Sequence, residues 1–148
     1  MRIIRKNLDL MDIEYALTNE ICEYWIILDK DDTKEEDFEK AIRECESQNI
    51  NLAYSIRSFE VWILLHYKFF EKALSQAELE KEISFFSQDK YSKSSKELKS
   101  LFQNIISKVE LAIQNAKTSF EKFENEQTSI SKREPCSRVF VLIEKLLS

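Results

Sequence analysis

Two carboxylates separated by one residue, Asp29 and Asp31, stand with Asp32 directly behind the apolar run Tyr24-Trp-Ile-Ile-Leu28. On an extended strand end, residues two apart point the same way and lie about 6–7 Å apart. Two carboxylates so placed can share a hard cation or hold two neighbouring ones. Mg²⁺ suits such sparse ligation, because it keeps waters for substrate phosphates. Paired ions activate water and stabilise the leaving oxygen of a phosphodiester. A solvated acidic turn closing a strand has the same sequence, so both readings stand. The buried strand before the acids favours a site, since ligands bind at the C-terminal strand ends of open α/β sheets.

A second constellation is Ser55-Ile-Arg-Ser-Phe-Glu60-Val-Trp62-Ile-Leu-Leu-His66. Ser55 is expected to end the next strand near the acids, and Glu60 to open a helix that points back to them. The alternative is local: Ser55 or Ser58 as a helix N-cap, with Glu60 as its capping partner. Phe59, Trp62, Leu64 and Leu65 read as core. His66 reads as a core histidine on an apolar helix, or as an acid–base group. Lys90, Lys93, Lys96, Lys99, Lys132, Arg133 and Arg138 can neutralise phosphates, though such residues on polar helices are usually only solvated. Cys136 has no base near it in sequence and reads as an inert thiol.

These residues need elements to position them. Arg2 to Arg5 suggests a short strand, Leu8 to Ile21 has helical spacing, and Tyr24 to Leu28 is a buried strand. Thr33 is the expected N-cap of a helix running to about Ser47, with Glu36 completing a capping box. Asn49 to Tyr54 is a further strand, so strand–helix–strand forms a parallel βαβ unit. Ser58 to Phe70 reads as a buried helix. Gln76 to Phe86 and Ser95 to Glu124 read as two polar helices, the second carrying apolar residues from Leu98 to Phe120 near a 3.6 period. Asn125 to Arg133 is a polar loop, and Pro135 opens a last helix, Ser137 to Leu147. The expectation is one α/β protein: a small parallel sheet over residues 1–70, then an α-helical half over 71–148.

Composition narrows the chemistry. The chain has 148 residues, 43% hydrophobic and 33% charged, enough for a packed core. No apolar run approaches the roughly 20 residues of a membrane span, and the N-terminus carries no signal-peptide pattern. The net charge of −5 excludes a nucleic-acid binder that is basic over its whole surface, but not a local basic groove. Three cysteines at wide spacing and a single histidine argue against a disulfide framework or a zinc site, and suit the cytoplasm. There is no glycine, so phosphate loops and dinucleotide fingerprints are excluded. That counts against a nucleotide-dependent phosphotransferase, which could also use an Asp-x-Asp pair.

From Trp25 onward the chain resembles the RloB-like family, Toprim-like proteins of bacterial phage-defence and restriction-linked loci that include abortive-infection toxins. Three blocks carry the resemblance. Trp25-Ile-Ile-Leu-Asp29-Lys-Asp31-Asp32 is similar to a strand ending in "Phe-Asp-Arg-Asp-Asp". Ala53-Tyr-Ser55-Ile-Arg-Ser-Phe59-Glu60-Val-Trp62-Ile-Leu-Leu-His66 is similar to "A-x-S-x-P-x-F-E-x-W-L-L-L-H". Pro135-Cys-Ser137-Arg-Val139-Phe-Val-Leu-Ile143 is similar to "P-S-T-x-V-H-x-L-V". The resemblance implies a Toprim-like (Rossmann-like) metal-dependent nuclease fold using Mg²⁺ or Mn²⁺. Asp29, Asp31 and Asp32 would hold the metal, with Ser55 and Glu60 as catalytic residues at the same site. Lys30 and Arg57 would contact nucleic acid, DNA or RNA, and an ATPase is an expected partner. The family's first strand supplies a glutamate from a Cys-Glu-Gly-Glu-like segment. Met1 is expected to stand after that strand, so the chain reads as a truncated frame, a degraded relative or one half of a split protein, with weak or no activity expected. The Pro after Ser55 is replaced by Arg57, and the late histidine by Phe140. The competing reading is a non-catalytic interaction module, with Ser95 to Glu124 pairing with another subunit.

Overall fold

The computed structural model describes residues 2–4 and 23–148. The helix expected over Leu8 to Ile21 lies outside the described residues. The sheet contains β1 (Arg2–Ile4), β2 (Tyr24–Asp29), β3 (Asn51–Ile56) and β4 (Cys136–Ser137), in that spatial order. β1, β2 and β3 are parallel, as the βαβ pattern requires, and β4 adds antiparallel to β3. The helices are α1 (Glu35–Ser47), α2 (Glu60–Leu65), α3 (Gln76–Ser87), α4 (Ser95–Ile105), α5 (Val109–Asn125) and α6 (Val139–Leu147). The chain is an α/β protein with four of its six described α-helices, the longest among them, in the C-terminal half.

The period-two pattern of β2 and β3 sorts the core. Tyr24, Leu52, Tyr54 and Ile56 pack with Phe38 and Ile42 of α1 on one face. Trp25 and Ala53 pack with Leu142 of α6 on the other. α2 has only six residues, too short to persist alone. It is buried all round, and Val61 to Leu65 join residues of α3, α4, α5 and α6 in the helical core. At about 1.5–3 kcal/mol per buried apolar side chain, that packing rather than helix propensity holds α2. Asn115 Nδ2 of α5 donates to the Leu65 carbonyl at 2.8 Å and satisfies one orphan acceptor at its end.

Several boundaries differ from expectation. Lys34, not Thr33, is the N-cap of α1, and no side chain caps it; instead three acids, Glu35, Glu36 and Asp37, fill the first turn. β3 starts and ends two residues later than Asn49 to Tyr54, because its pairing with β4 extends to Ile56. The buried helix shrinks from Ser58–Phe70 to α2. The single long helix expected over Ser95 to Glu124 is two, joined by a 3₁₀ turn at Ile106–Lys108. A 3₁₀ turn keeps side chains near helical spacing, which hid the break. Pro135 opens β4, not the last helix, and α6 starts at Val139.

Candidate functional site

β2 and β3 end side by side, with Asp29 in register with Ser55. Beyond the sheet the two chain segments remain tied. The Lys30 N–H donates to the Ser55 carbonyl at 3.0 Å and the Asp31 N–H to the Arg57 carbonyl at 2.7 Å. Both Asp31 (φ 42°) and Arg57 (φ 78°) sit at positive φ. Aspartate tolerates that region, whereas arginine rarely adopts it. This turn sends Asp31 and Asp32 to the rim of a cleft of about 350 Å³, lined also by Asp29, Arg57, Ser58, Glu60, Gln76, Glu80 and Lys93.

Asp29 is the least compensated group in the cleft. Its Oδ1 is buried without a hydrogen-bond partner among the described residues. Burial, followed by the Asp31 charge, pushes its carboxyl up to about 6, against a lowering contribution from the Phe59 backbone N–H. Glu60, at the start of α2, has the opposite surroundings. It is 3% exposed and receives Lys93 Nζ at 2.9 Å and the Tyr91 hydroxyl at 2.8 Å, both on Oε1. Burial pushes this carboxyl up, but the bonds from Lys93 and Tyr91 outweigh it and hold it below the ordinary value. Lys93 is raised by the same hydrogen bond.

Lys93 and Tyr91 arrive from the link between α3 and α4. A full capping box at Ser75 and Glu78 starts α3, and Ser94 accepts from the Glu97 N–H to start α4. Between them the Tyr91 N–H donates to Ser84 Oγ at 2.9 Å, which fixes the tyrosine against α3. On the same wall, Ser58 Oγ donates to Gln76 Oε1 and Gln76 Nε2 to Glu80 Oε1, both at 2.9 Å. Phe59, with no side-chain cap bond, precedes α2, so no serine is its N-cap, yet the Ser58 hydroxyl still bonds the Glu60 carboxylate.

The sequence-derived residues therefore divide. Asp29, Asp31, Asp32, Glu60 and Arg57 line one cleft. Ser55 is adjacent in register, but its hydroxyl is buried and shares a 3.1 Å hydrogen bond with Ser137. Lys30 is half-buried and does not line the cleft. Arg57 pairs with Glu134 through Nε. His66 is a core residue: its Nδ1 lies 2.9 Å from the Trp62 carbonyl, and its ring meets Trp62 edge-on. The Cys136 thiol is pushed up to about 12 by burial and is inert at neutral pH. Tyr91, Gln76 and Glu80 were not singled out from the sequence. They are brought to Glu60 and Ser58 by tertiary folding, with no local spacing to announce them.

Among the described residues, no three His, Cys, Asp or Glu side chains group as a metal-ligand set. The donor set is two neighbouring carboxylates, Asp29 and Asp31, one with a buried oxygen lacking any partner. That set fits a cation which keeps most of its own waters. No helix among the described residues is long and apolar enough to cross a membrane.

Fold and site together define an α/β protein with an acidic strand tip set over a polar cleft. A family model described as RloB-like protein matches residues 4–146, and the chain belongs to that family. No curated protein and no solved structure matches the chain.

Proposed function

We propose that this RloB-like chain is a Toprim-type, Mg²⁺- or Mn²⁺-dependent nuclease of bacterial phage defence, working in the cytoplasm on DNA or RNA beside an ATPase partner. The observation that carries the reading is that Asp29, at the C-terminal end of parallel strands, lines the cleft with Asp31 and has a buried Oδ1 with no hydrogen-bond partner among the described residues. A bound ion would supply an activated water and neutralise charge on the phosphodiester. Asp29 and Asp31 would hold it, with Asp32 at the rim. Lys93 and Arg57 are the cations of the cleft that a phosphate backbone would meet, and Lys30 stands farther out. Ser55 acts as a positioning residue, tying the tip of β2 to β4 through Ser137. Glu60 holds Lys93 and Tyr91 in place. Because it is committed to them, it makes a poor general base, and turnover is expected to be low.

A thermal melt with and without Mn²⁺ tests the metal. Wild type should melt higher with Mn²⁺, by about 2–3 kcal/mol of added stability at a hundredfold excess over Kd. Asp29→Asn and Asp31→Asn should lose that gain, and cleavage of plasmid DNA and of structured RNA should fall with it. No gain in wild type removes the metal reading.

One observation favours a second reading, the interaction module. Phe102, Ile106 and Leu111 stay exposed along α4, the 3₁₀ turn and α5, with Ile106 at 74%. On that reading Asp31→Asn changes neither metal response nor partner binding.

A further inference from the structure

A cavity of about 370 Å³ opens on the opposite face of the sheet from Asp29, between α1 and α5, and shares no lining residue with the acidic cleft. Its volume lies within the range of small-molecule pockets, roughly 300–1,000 Å³. Ile42, Ile50, Phe120 and Ile130 give it apolar walls, and Tyr54 and Arg138 furnish its polar side.

Tyr54 is 2% exposed, yet its hydroxyl makes no hydrogen bond to a described residue. Burial raises the phenol well above its ordinary value, so it remains an O–H donor at neutral pH. Tyr54 lines the cavity, so its hydroxyl is a donor that no described residue uses and that a ligand in the cavity can reach.

The two guanidiniums at the cavity differ in the same way. Arg133 is spent: it pairs with Glu124, donates Nε to the Thr128 carbonyl at 2.8 Å, and lies over the Phe120 ring. Arg138 is held in place by backbone but not neutralised. Its Nη1 donates to the Leu52 carbonyl and its own N–H to the Tyr54 carbonyl, each at 2.7 Å. Among the described residues no carboxylate pairs with it. Glu46, the other acid of the lining, is exposed at the rim and so is screened by water.

We infer that this cavity binds a small organic anion, its oxyanion accepting from the Tyr54 hydroxyl and the Arg138 guanidinium and its apolar body lying against Ile42, Ile50 and Phe120. Phosphate and carboxylate share the required chemistry: a planar guanidinium fork and one hydroxyl donor suit either.

The test titrates the full chain with phenyl phosphate, benzoate and inorganic phosphate, following backbone amide shifts by NMR. The expected result is saturable shifts at Asn51 to Tyr54 and at Arg138 with phenyl phosphate, benzoate or both. Which of the two binds tighter identifies the oxyanion. Inorganic phosphate should bind more weakly, lacking a body for the apolar walls. Tyr54→Phe should weaken binding about tenfold, one hydrogen bond to a charged acceptor, without lowering the melting temperature. That last pairing separates recognition from structure, since the hydroxyl bonds no described residue in the free protein. Absence of saturable shifts with both organic anions overturns the inference. So does equal affinity in Tyr54→Phe, or inorganic phosphate binding as tightly as phenyl phosphate.

Discussion

The two walls of the acidic cleft handle buried charge in opposite ways. On the helical wall, Glu60 is deeply buried and fully answered, by an ammonium and a phenol from the α3–α4 link. On the strand wall, Asp29 has a buried oxygen with no partner among the described residues and a second acid beside it. Burial alone penalises both carboxylates, so the difference comes from partners. The helical wall is finished by the fold itself. The strand wall keeps negative charge that the described residues balance only in part, through the Phe59 N–H and the more distant Lys93.

The largest test of that contrast removes an answer. Lys93→Ala leaves Glu60 buried with Tyr91 as its remaining strong donor and should destabilise by about 2–3 kcal/mol, read by urea denaturation. Lys93 itself is 67% exposed and returns to water easily, so the loss reflects Glu60. A change below the scatter of ordinary surface substitutions, about 0.5 kcal/mol, would mean that Glu60 does not need Lys93.

The next test works in the other direction. Asp29→Asn removes a charge without a partner and should stabilise the metal-free protein by about 1–2 kcal/mol at neutral pH, while abolishing the gain from Mn²⁺. The pH profile sharpens it. The folded protein holds the Asp29 proton at about 6 against an ordinary 3.8. Its contribution is therefore complete below about pH 4 and is lost as pH rises through 6. Glu60, lowered from 4.5, has the opposite slope: its contribution is present above that value and is lost as pH falls. The advantage of Asp29→Asn should thus vanish below about pH 4 and grow to its full size above 6, as followed by melts across that range. A pH-independent advantage would detach the effect from titration of Asp29.

The smallest expected effect is at Arg57. It is part-exposed and pairs with Glu134. Arg57→Ala should cost under about 1 kcal/mol of stability by denaturation, as half-exposed ion pairs do, and should strengthen Mn²⁺ binding by removing a cation near Asp31 and Asp32. Weaker Mn²⁺ binding would instead make the arginine's hold on the turn the dominant effect.

Much of this was legible in the residues. A short apolar run closed by acids reads as a buried strand with a polar tip, and the periodicity of β2, α1 and β3 points to the parallel unit. Family blocks brought Asp29, Asp31 and Glu60 to one place, and the structure puts all three on one cleft, with Arg57, a departure from the family pattern, beside them. What was hidden depends on contacts remote in sequence. Ser55 looked like a strand end, but β4 prolongs β3 past it and buries its hydroxyl on Ser137. Lys93 was one lysine among many in a polar stretch, and nothing local marks it as the partner of a residue more than thirty positions away. The break between α4 and α5 was invisible because the apolar period runs through it.

The backbone bonds that tie the acidic tip to β3 have a consequence in exchange rates. An acidic turn after a strand would ordinarily exchange its amide hydrogens with water almost freely. Here the Lys30 and Asp31 amides are donated to carbonyls of the neighbouring chain segment. They should therefore open only when the end of the sheet opens, on the slow scale of core strands. The carboxylates ride on a clamped frame, and any ion or phosphate that meets them would find them already in position rather than having to arrest a moving loop.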